Sequence, residues 1–188
     1  RLISGASPFN ETLFEDAIAD ASDVVGGVDN GWTVGKRLLQ FERSTHAGIN
    51  TSGSQGGRFD ASTMPKQIHR YTRIVEGRIA DPAIRARLIR YEQNDLAQRL
   101  TQQRVIEETR AHAPGFASSA VKLTGALNTQ DGDELLLHAS GTQGLDWDTS
   151  ETSEITKAWL RQKALTIAGG TKEIQLNIIA KRVLGLPD

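Results

Sequence analysis

Apolar residues recur at three- and four-residue intervals along most of this chain, a spacing that predicts helices. Val34, Leu38, Phe41, Thr45 and Ile49 form one such stripe, read as buried, and Asn30 is placed to cap a helix beginning near Gly31. Gly53, Gly56 and Gly57 break the pattern near Arg58, after which residues 62–78 read as a short helix anchored by Ile68, Tyr71 and Val75. Asp81-Pro82 is a helix start, with Asp as cap and Pro at the first helical position. Ile84, Leu88, Tyr91, Leu96 and Leu100 carry that helix toward His112, and Pro114-Gly115 ends it. The next helix is built on Phe116, Ala120, Leu123 and Leu127, and its Ala, Ser and Gly content permits close approach of a neighbour.

Gly141 to Asp148 reads as a loop, followed by a helix from about Ser150 to Ala168 with Ile155, Trp159 and Ala164 facing inward. Two glycines then precede Thr171, an N-cap whose hydroxyl accepts from a free amide of the first turn. Glu173 suits the start of that last helix, Lys181 and Arg182 suit its end, and Gly185 with Pro187 stops it. Ile174, Ile178 and Ile179 share one face. Residues 1–28 differ: Phe9, Leu13, Phe14, Ile18, Val24 and Val25 are mixed with Asn, Asp, Gly and Pro, and read as one or two short strands with turns. The expected fold is mainly α, an up-down bundle of four or five helices over 29–188, preceded by a short β remnant and linker at 1–28.

Composition narrows the chemistry. The 188 residues carry 22 Lys plus Arg against 23 Asp plus Glu, so a net charge of −1 gives no bulk attraction for nucleic acid. There is no cysteine, which excludes disulfides, thiolate zinc sites and a cysteine nucleophile. No apolar run approaches the roughly 20 residues of a membrane span, and the expected location is cytoplasmic. His46, His69, His112 and His138 show no metal-binding spacing, and neither a nucleophile elbow nor a P-loop is present. Arg1-Leu2-Ile3-Ser4 has no initiator Met and reads as the interior of a longer chain, either a fragment of it or its retained part.

Three stretches, in order, carry a family resemblance. TIAGGTKEIQLNIIAKRVLGLPD (Thr166 to Asp188) closely resembles the C-terminal signature of the acyl-CoA dehydrogenases. PFNETLFEDAIADASDVVGGVDNGWTVGKRLLQFERS (Pro8 to Ser44) resembles that family's passage from its middle β-domain into its C-terminal helical domain. HASGTQGL (His138 to Leu145) stands where the family has its Gln-x-x-Gly-Gly-x-Gly flavin loop, in altered form. The resemblance implies the helical-domain fold, bound FAD, an acyl-CoA substrate, an electron-transfer flavoprotein-like acceptor, and a dimer or tetramer of like or unlike chains. It also implies that the flavin-embracing β-domain is mostly missing from these residues, so that they are inactive alone.

Residue by residue, the carry-over is uneven. In many members the base is a glutamate immediately before Gly-Thr in the closing signature; here that position is Gly169. The isovaleryl- and long-chain-like branch instead holds its glutamate on the first helix of the domain, before an arginine, which here is Glu42 followed by Arg43. On the helix pattern Glu42 falls on the flank of the Val34/Leu38/Thr45 stripe, where partial desolvation would raise a carboxylate toward a useful base. The same pattern also accommodates a glutamate that reaches solvent or pairs with a nearby arginine. Arg43 would organise the base or substrate. The amide at Gly169, with Gly170 beside it, would polarise the thioester carbonyl, a role that needs no side chain.

Thr171 and Glu173 match positions that touch FAD, on a helix N-terminus suited to phosphate or hydroxyl oxygens. His138, Gly141 and Thr142 match the loop that reaches a neighbouring subunit's flavin, with His replacing the family glutamine and Thr142 its second glycine. The family's Arg-x-x-Phe-Gly motif is not recognisable around Glu76-Gly77-Arg78-Ile79-Ala80, where Arg78 is the available substitute. The reading implied is FAD-dependent α,β-dehydrogenation of an acyl-CoA in fatty-acid or sterol side-chain β-oxidation, with Glu42 as base. Two alternatives stand beside it: a catalytically silent partner subunit of a heteromeric dehydrogenase, and a helical oligomerisation or binding module.

Overall fold

Helix α4 (Ala117–Ser140) is the element against which the others pack. The computed structural model describes residues 1–46, 63–110, 117–147 and 151–187. In chain order these form α1 (Gly31–His46), α2 (Met64–Tyr71), β1 (Ile74–Val75), β2 (Arg78–Ile79), α3 (Pro82–Arg110), α4, α5 (Glu151–Gln162) and α6 (Lys172–Ile178). Short 3-10 turns lie at Ala21–Asp23, Gly141–Leu145 and Lys163–Thr166, and a π turn at Ile179–Val183 continues α6.

The bundle is up-down. Arg87 reaches Asp131 and His138, Tyr91 faces Gly132, and Gln98 reaches Val121, so α3 and α4 run antiparallel. Thr156 donates to the Gly144 carbonyl and Gln130 to that of Gln162, so α5 returns antiparallel along α4. The main core joins Met64 and Ile68 of α2, Ile79 of β2, Ile84, Leu88 and Tyr91 of α3, Leu135 and Leu136 of α4, and Ile155 of α5. A smaller cluster pairs Val105 with Val121. Small residues of α4 set the spacing: a Cβ on Gly132 would lie 2.6 Å from the Tyr91 ring, and one on Gly125 2.8 Å from the Gln98 amide.

Local chemistry explains the well-predicted helix ends. Asp81 Oδ1 accepts from the amides of Ala83 (2.8 Å) and Ile84 (3.2 Å), opening α3 with Pro82 at its first position. Thr171 Oγ1 accepts from the Ile174 amide at 3.4 Å. Gly185, at φ 64, lets the chain fold back so that the Leu186 amide reaches the Ala180 carbonyl. Helix α1 begins at Gly31 as expected, but Asn30 acts backwards, donating its side-chain amide to the Gly26 carbonyl.

Other expectations are corrected. Residues 1–28 form no strand; Phe9, Leu13, Phe14 and Ile18 are exposed, since a strand needs a hydrogen-bonding neighbour and no described residue offers one. The sheet lies instead at Ile74–Ile79, overlapping the end of the expected 62–78 helix, which stops at Tyr71. There Glu76 (φ 50) and Gly77 (φ 74) form a two-residue hairpin turn that pairs Ile74 with Ile79 and leaves Val75 exposed. At its described positions the α1 stripe is not buried: Leu38 is 65% exposed and Val34 half-buried.

On α3, Leu96 and Leu100 are exposed beyond the reach of α2 and the hairpin, and Leu127 of α4 is exposed as well. In α6 Ile174 is exposed and Gln175 takes the buried position. The loop expected from Gly141 starts as a 3-10 turn. Ile49, Gly53, Gly56, Gly57, Arg58, His112, Pro114, Gly115, Phe116, Asp148 and Ser150 lie outside the described residues, as do the side chains of Phe41, Arg43 and Thr45.

Candidate functional site

The turn between α5 and α6 is built by two glycines and held by α4. Gly169 and Gly170 take φ values of 68 and 105, a region closed to most side chains. Gln130 of α4 donates to the Gln162 carbonyl at 2.9 Å, fixing the exit of α5. Eight residues earlier on α4, about 12 Å along its axis, Lys122 Nζ donates to the Gly170 carbonyl at 2.6 Å. Gln175 of α6, fully buried, donates its Nε2 to the Gly169 carbonyl at 3.0 Å. The Gln175 amide lies so close that a Cβ on Gly170 would meet it at 2.6 Å. Among the described residues the backbone N–H groups of Gly169, Gly170 and Thr171 have no acceptor.

Lys122 is only 7% exposed, and burial holds its amine below the usual lysine range. Its one acceptor among the described residues is the Gly170 carbonyl. Thr171 uses a lone pair of its hydroxyl to cap α6 and retains its O–H for donation. Glu173 is exposed in the first turn of α6.

The second group of expected residues lies at the opposite end of α4. His138 is exposed with Nδ1 3.3 Å from Arg87 Nη1, and Arg87 also pairs with Asp131 (3.3 Å) and Glu134 (3.8 Å). Gly141 (φ 57) and Thr142 are exposed in the turn that follows. Sixteen residues separate Lys122 from His138, about 24 Å of helix, so the turn at Gly169 and the turn at Gly141 are not brought together within one chain. Glu42 is exposed on α1, without the partial burial its place beside the stripe implied. Arg78 is exposed on β2.

As a test of the flavin the resemblance implies, the donor set at Gly169–Thr171 fits. It offers unpaired amides and a hydroxyl on a half-buried surface, groups that take carbonyl, hydroxyl or phosphate oxygens. The turn at Gly141 presents an exposed backbone suited to a contact from outside this chain.

Sequence reasoning passed over Lys122, Gln175 and Asp133, all polar residues at buried positions. Asp133 of α4 is 2% exposed, and burial pushes its carboxyl up to about 7 against the opposing pull of Lys163. Its Oδ2 has no partner among the described residues. An open groove of about 460 Å³ between α3 and α4, lined by Arg90, Asn94, Gln98, Thr124, Asn128 and Asp131, includes none of the expected site residues. Among the described residues no His, Asp and Glu side chains form a group of three able to hold a metal, and no helix is long and apolar enough to cross a membrane.

Comparison with known proteins places these features in context. Residues 29–184 match the family described as acyl-CoA dehydrogenase, C-terminal domain. The acyl-CoA dehydrogenase IpdE1 of Mycobacterium tuberculosis is 36% identical over 185 residues, covering 98% of this chain and 46% of that protein. IpdE1 of Mycolicibacterium smegmatis is 33% identical over 190 residues, covering 98% and 44%. The acyl-CoA dehydrogenase FadE34 of Mycobacterium tuberculosis is 29% identical over 188 residues, covering 100% and 24%. The chain thus spans less than half the length of these relatives. Among solved structures, the ChsE4-ChsE5 complex from Mycobacterium tuberculosis shares the fold, with a TM-score of 0.60 and 19% identity over 84% of this chain and 41% of that one.

Proposed function

The chain belongs to the acyl-CoA dehydrogenase family, as its C-terminal domain, and from that premise we propose that the protein dehydrogenates an acyl-CoA thioester between its α and β carbons. The observation that carries this reading is the Gly169–Gly170 turn, whose carbonyls are drawn toward Lys122 and Gln175 while its amides have no acceptor among the described residues. Amides held in this way stabilise negative charge growing on a thioester oxygen, which acidifies the α-carbon. Glu42 takes the α-proton, and Arg43 orders the base or substrate. FAD, held through Thr171 and Glu173, would supply the acceptor for the β-hydride.

Thr171 and Glu173 serve the flavin at one end of α4, and His138, Gly141 and Thr142 approach the flavin of a neighbouring subunit at the other. This division agrees with the 24 Å or so of helix between the two groups. It also agrees with an obligate oligomer in which the exposed Glu42 is desolvated by bound substrate or by surfaces outside these residues. The assembly is homo- or hetero-oligomeric; the ChsE4-ChsE5 structure gives a precedent in the fold for two different chains in one complex. The absence of a side chain at Gly169 leaves volume for a bulky or branched acyl group, in keeping with a fatty-acid or sterol side-chain substrate. An electron-transfer flavoprotein-like acceptor and a cytoplasmic location complete the proposal.

A second reading, a catalytically silent partner subunit, is favoured by His138 and Thr142 standing where the flavin loop has Gln and Gly. The two are separated by Glu42→Gln in the complete assembly. The expected result is loss of turnover by about 10²–10⁴-fold with flavin absorbance retained. Unchanged turnover removes Glu42 as the base and favours the silent subunit. A complete assembly that never acquires the flavin absorption band favours a binding module.

A further inference from the structure

We propose that Lys122 and Gln175 are positioning residues that aim the Gly170 and Thr171 amides at the thioester oxygen, a role that rests on the dehydrogenase reading above. The argument begins with the peptide group. In a trans peptide the C=O and N–H bonds point in opposite directions, so fixing a carbonyl also fixes the amide that shares its plane. Gln175 Nε2 holds the Gly169 carbonyl at 3.0 Å and thereby turns the Gly170 N–H away from the interior. Lys122 Nζ holds the Gly170 carbonyl at 2.6 Å and turns the Thr171 N–H away in the same manner. The result is two consecutive peptides with oxygens inward and amides outward, at glycines whose positive φ values allow that arrangement.

Both donors are buried, Lys122 at 7% exposure and Gln175 at 0%. Neither is an economical choice for holding a turn. A desolvated ammonium with one described acceptor is costly, and Gln175 also leaves its Oε1 without a described partner. What they supply that an apolar side chain would not is direction and polarity. A donor on a carbonyl strengthens the partial positive charge on the same peptide's N–H. The positive charge of Lys122 adds a field of the sign that a developing thioester oxyanion requires. Residues on α4 and α6 thus act on the reacting carbonyl through one intervening peptide each, without touching it.

The test uses the complete flavin-loaded assembly and a panel of straight-chain, branched and polycyclic acyl-CoAs, with an artificial dye as electron acceptor. The substrate turned over fastest by the unmodified protein is then used for Lys122→Met and Gln175→Met. Each change keeps side-chain length while removing the donor to its carbonyl. The expected result is a fall in kcat of about 10- to 100-fold with KM changed by less than about threefold, flavin content retained and the melting temperature little altered. In Lys122→Ala, added methylammonium is expected to restore part of kcat, while Lys122→Met stays unresponsive. Unchanged kcat in both variants overturns the proposal. So does loss of fold or flavin in parallel with activity in both, because the pair would then be structural. If the unmodified assembly turns over no member of the panel, the dehydrogenase reading fails and takes this inference with it. Turnover in the unmodified assembly with full activity in the variants removes only the positioning role.

Discussion

Gly132 of α4 meets the ring of Tyr91 of α3 so closely that a Cβ at position 132 would lie 2.6 Å from Cε2 and 3.2 Å from Cζ. Met64 closes the other side at 3.1 Å. Tyr91 and Met64 are 4% and 1% exposed, so neither has room to retreat. This contact sets the separation of the two longest helices and hence the position of everything α4 carries.

Gly132→Ala is therefore expected to destabilise the fold by about 1–3 kcal/mol, even though alanine is the better helix former by about 1 kcal/mol. Urea denaturation measures it. Shortening the ring in a Gly132→Ala/Tyr91→Leu pair should recover part of the loss, and a strictly additive pair would show that the contact does not govern the spacing.

Asp133 predicts a pH dependence. Its carboxyl titrates near 3.8 when unfolded and is raised to about 7 in the fold. Between those values the unfolded chain gives up this proton and the folded chain keeps it, so the unfolded state is favoured progressively as pH rises. Stability from this group is full below about 4 and is lost by about 7, a change on the order of 2–4 kcal/mol. Asp133→Asn should remove that slope when denaturation midpoints are compared at pH 5 and pH 8. An unchanged slope would assign the dependence to other groups.

Glu76 occupies the first central position of the hairpin turn at φ 50, a conformation asparagine or glycine adopts more readily. Glu76→Asn is expected to raise stability by about 0.5–1 kcal/mol, read as a higher melting temperature. A drop would mean that the Glu76 carboxylate contributes more than its backbone costs.

What could be read beforehand divides by the range of the chemistry. The starts of α3 and α6 were legible because Asp81-Pro82 and Thr171 act within three residues of themselves. Ile84, Leu88 and Tyr91 were legible as core because one-faced periodicity reflects burial. The stripe of α1 is equally periodic yet exposed at Leu38, since periodicity reports that a face is apolar and not which surface covers it. The hairpin was missed because two two-residue strands leave almost no alternation, although Glu76-Gly77 between Ile-Val and Arg-Ile was a usable signal. Among the candidate site residues, Gly169, Gly170 and Thr171 were picked out through the family signature. Lys122 and Gln175 were not, because a lone Lys on a helix is ordinarily solvated and only the folded chain brings it to a carbonyl 48 residues away.

The π turn at Ile179–Val183 carries a last implication. The Leu184 amide bonds back five residues to Ile179 instead of four, which is the mark of a helix that has taken in one extra residue without unwinding. Everything after it is rotated by roughly one residue's angle, about 100°, relative to the face established by Gln175. Counting in fours from Gln175 therefore loses its meaning beyond Ile179. Loss of one residue in this turn would leave the Gly169–Gly170 end in place and swing the Gly185 end to a new bearing, so the two ends of this short helix can diverge independently.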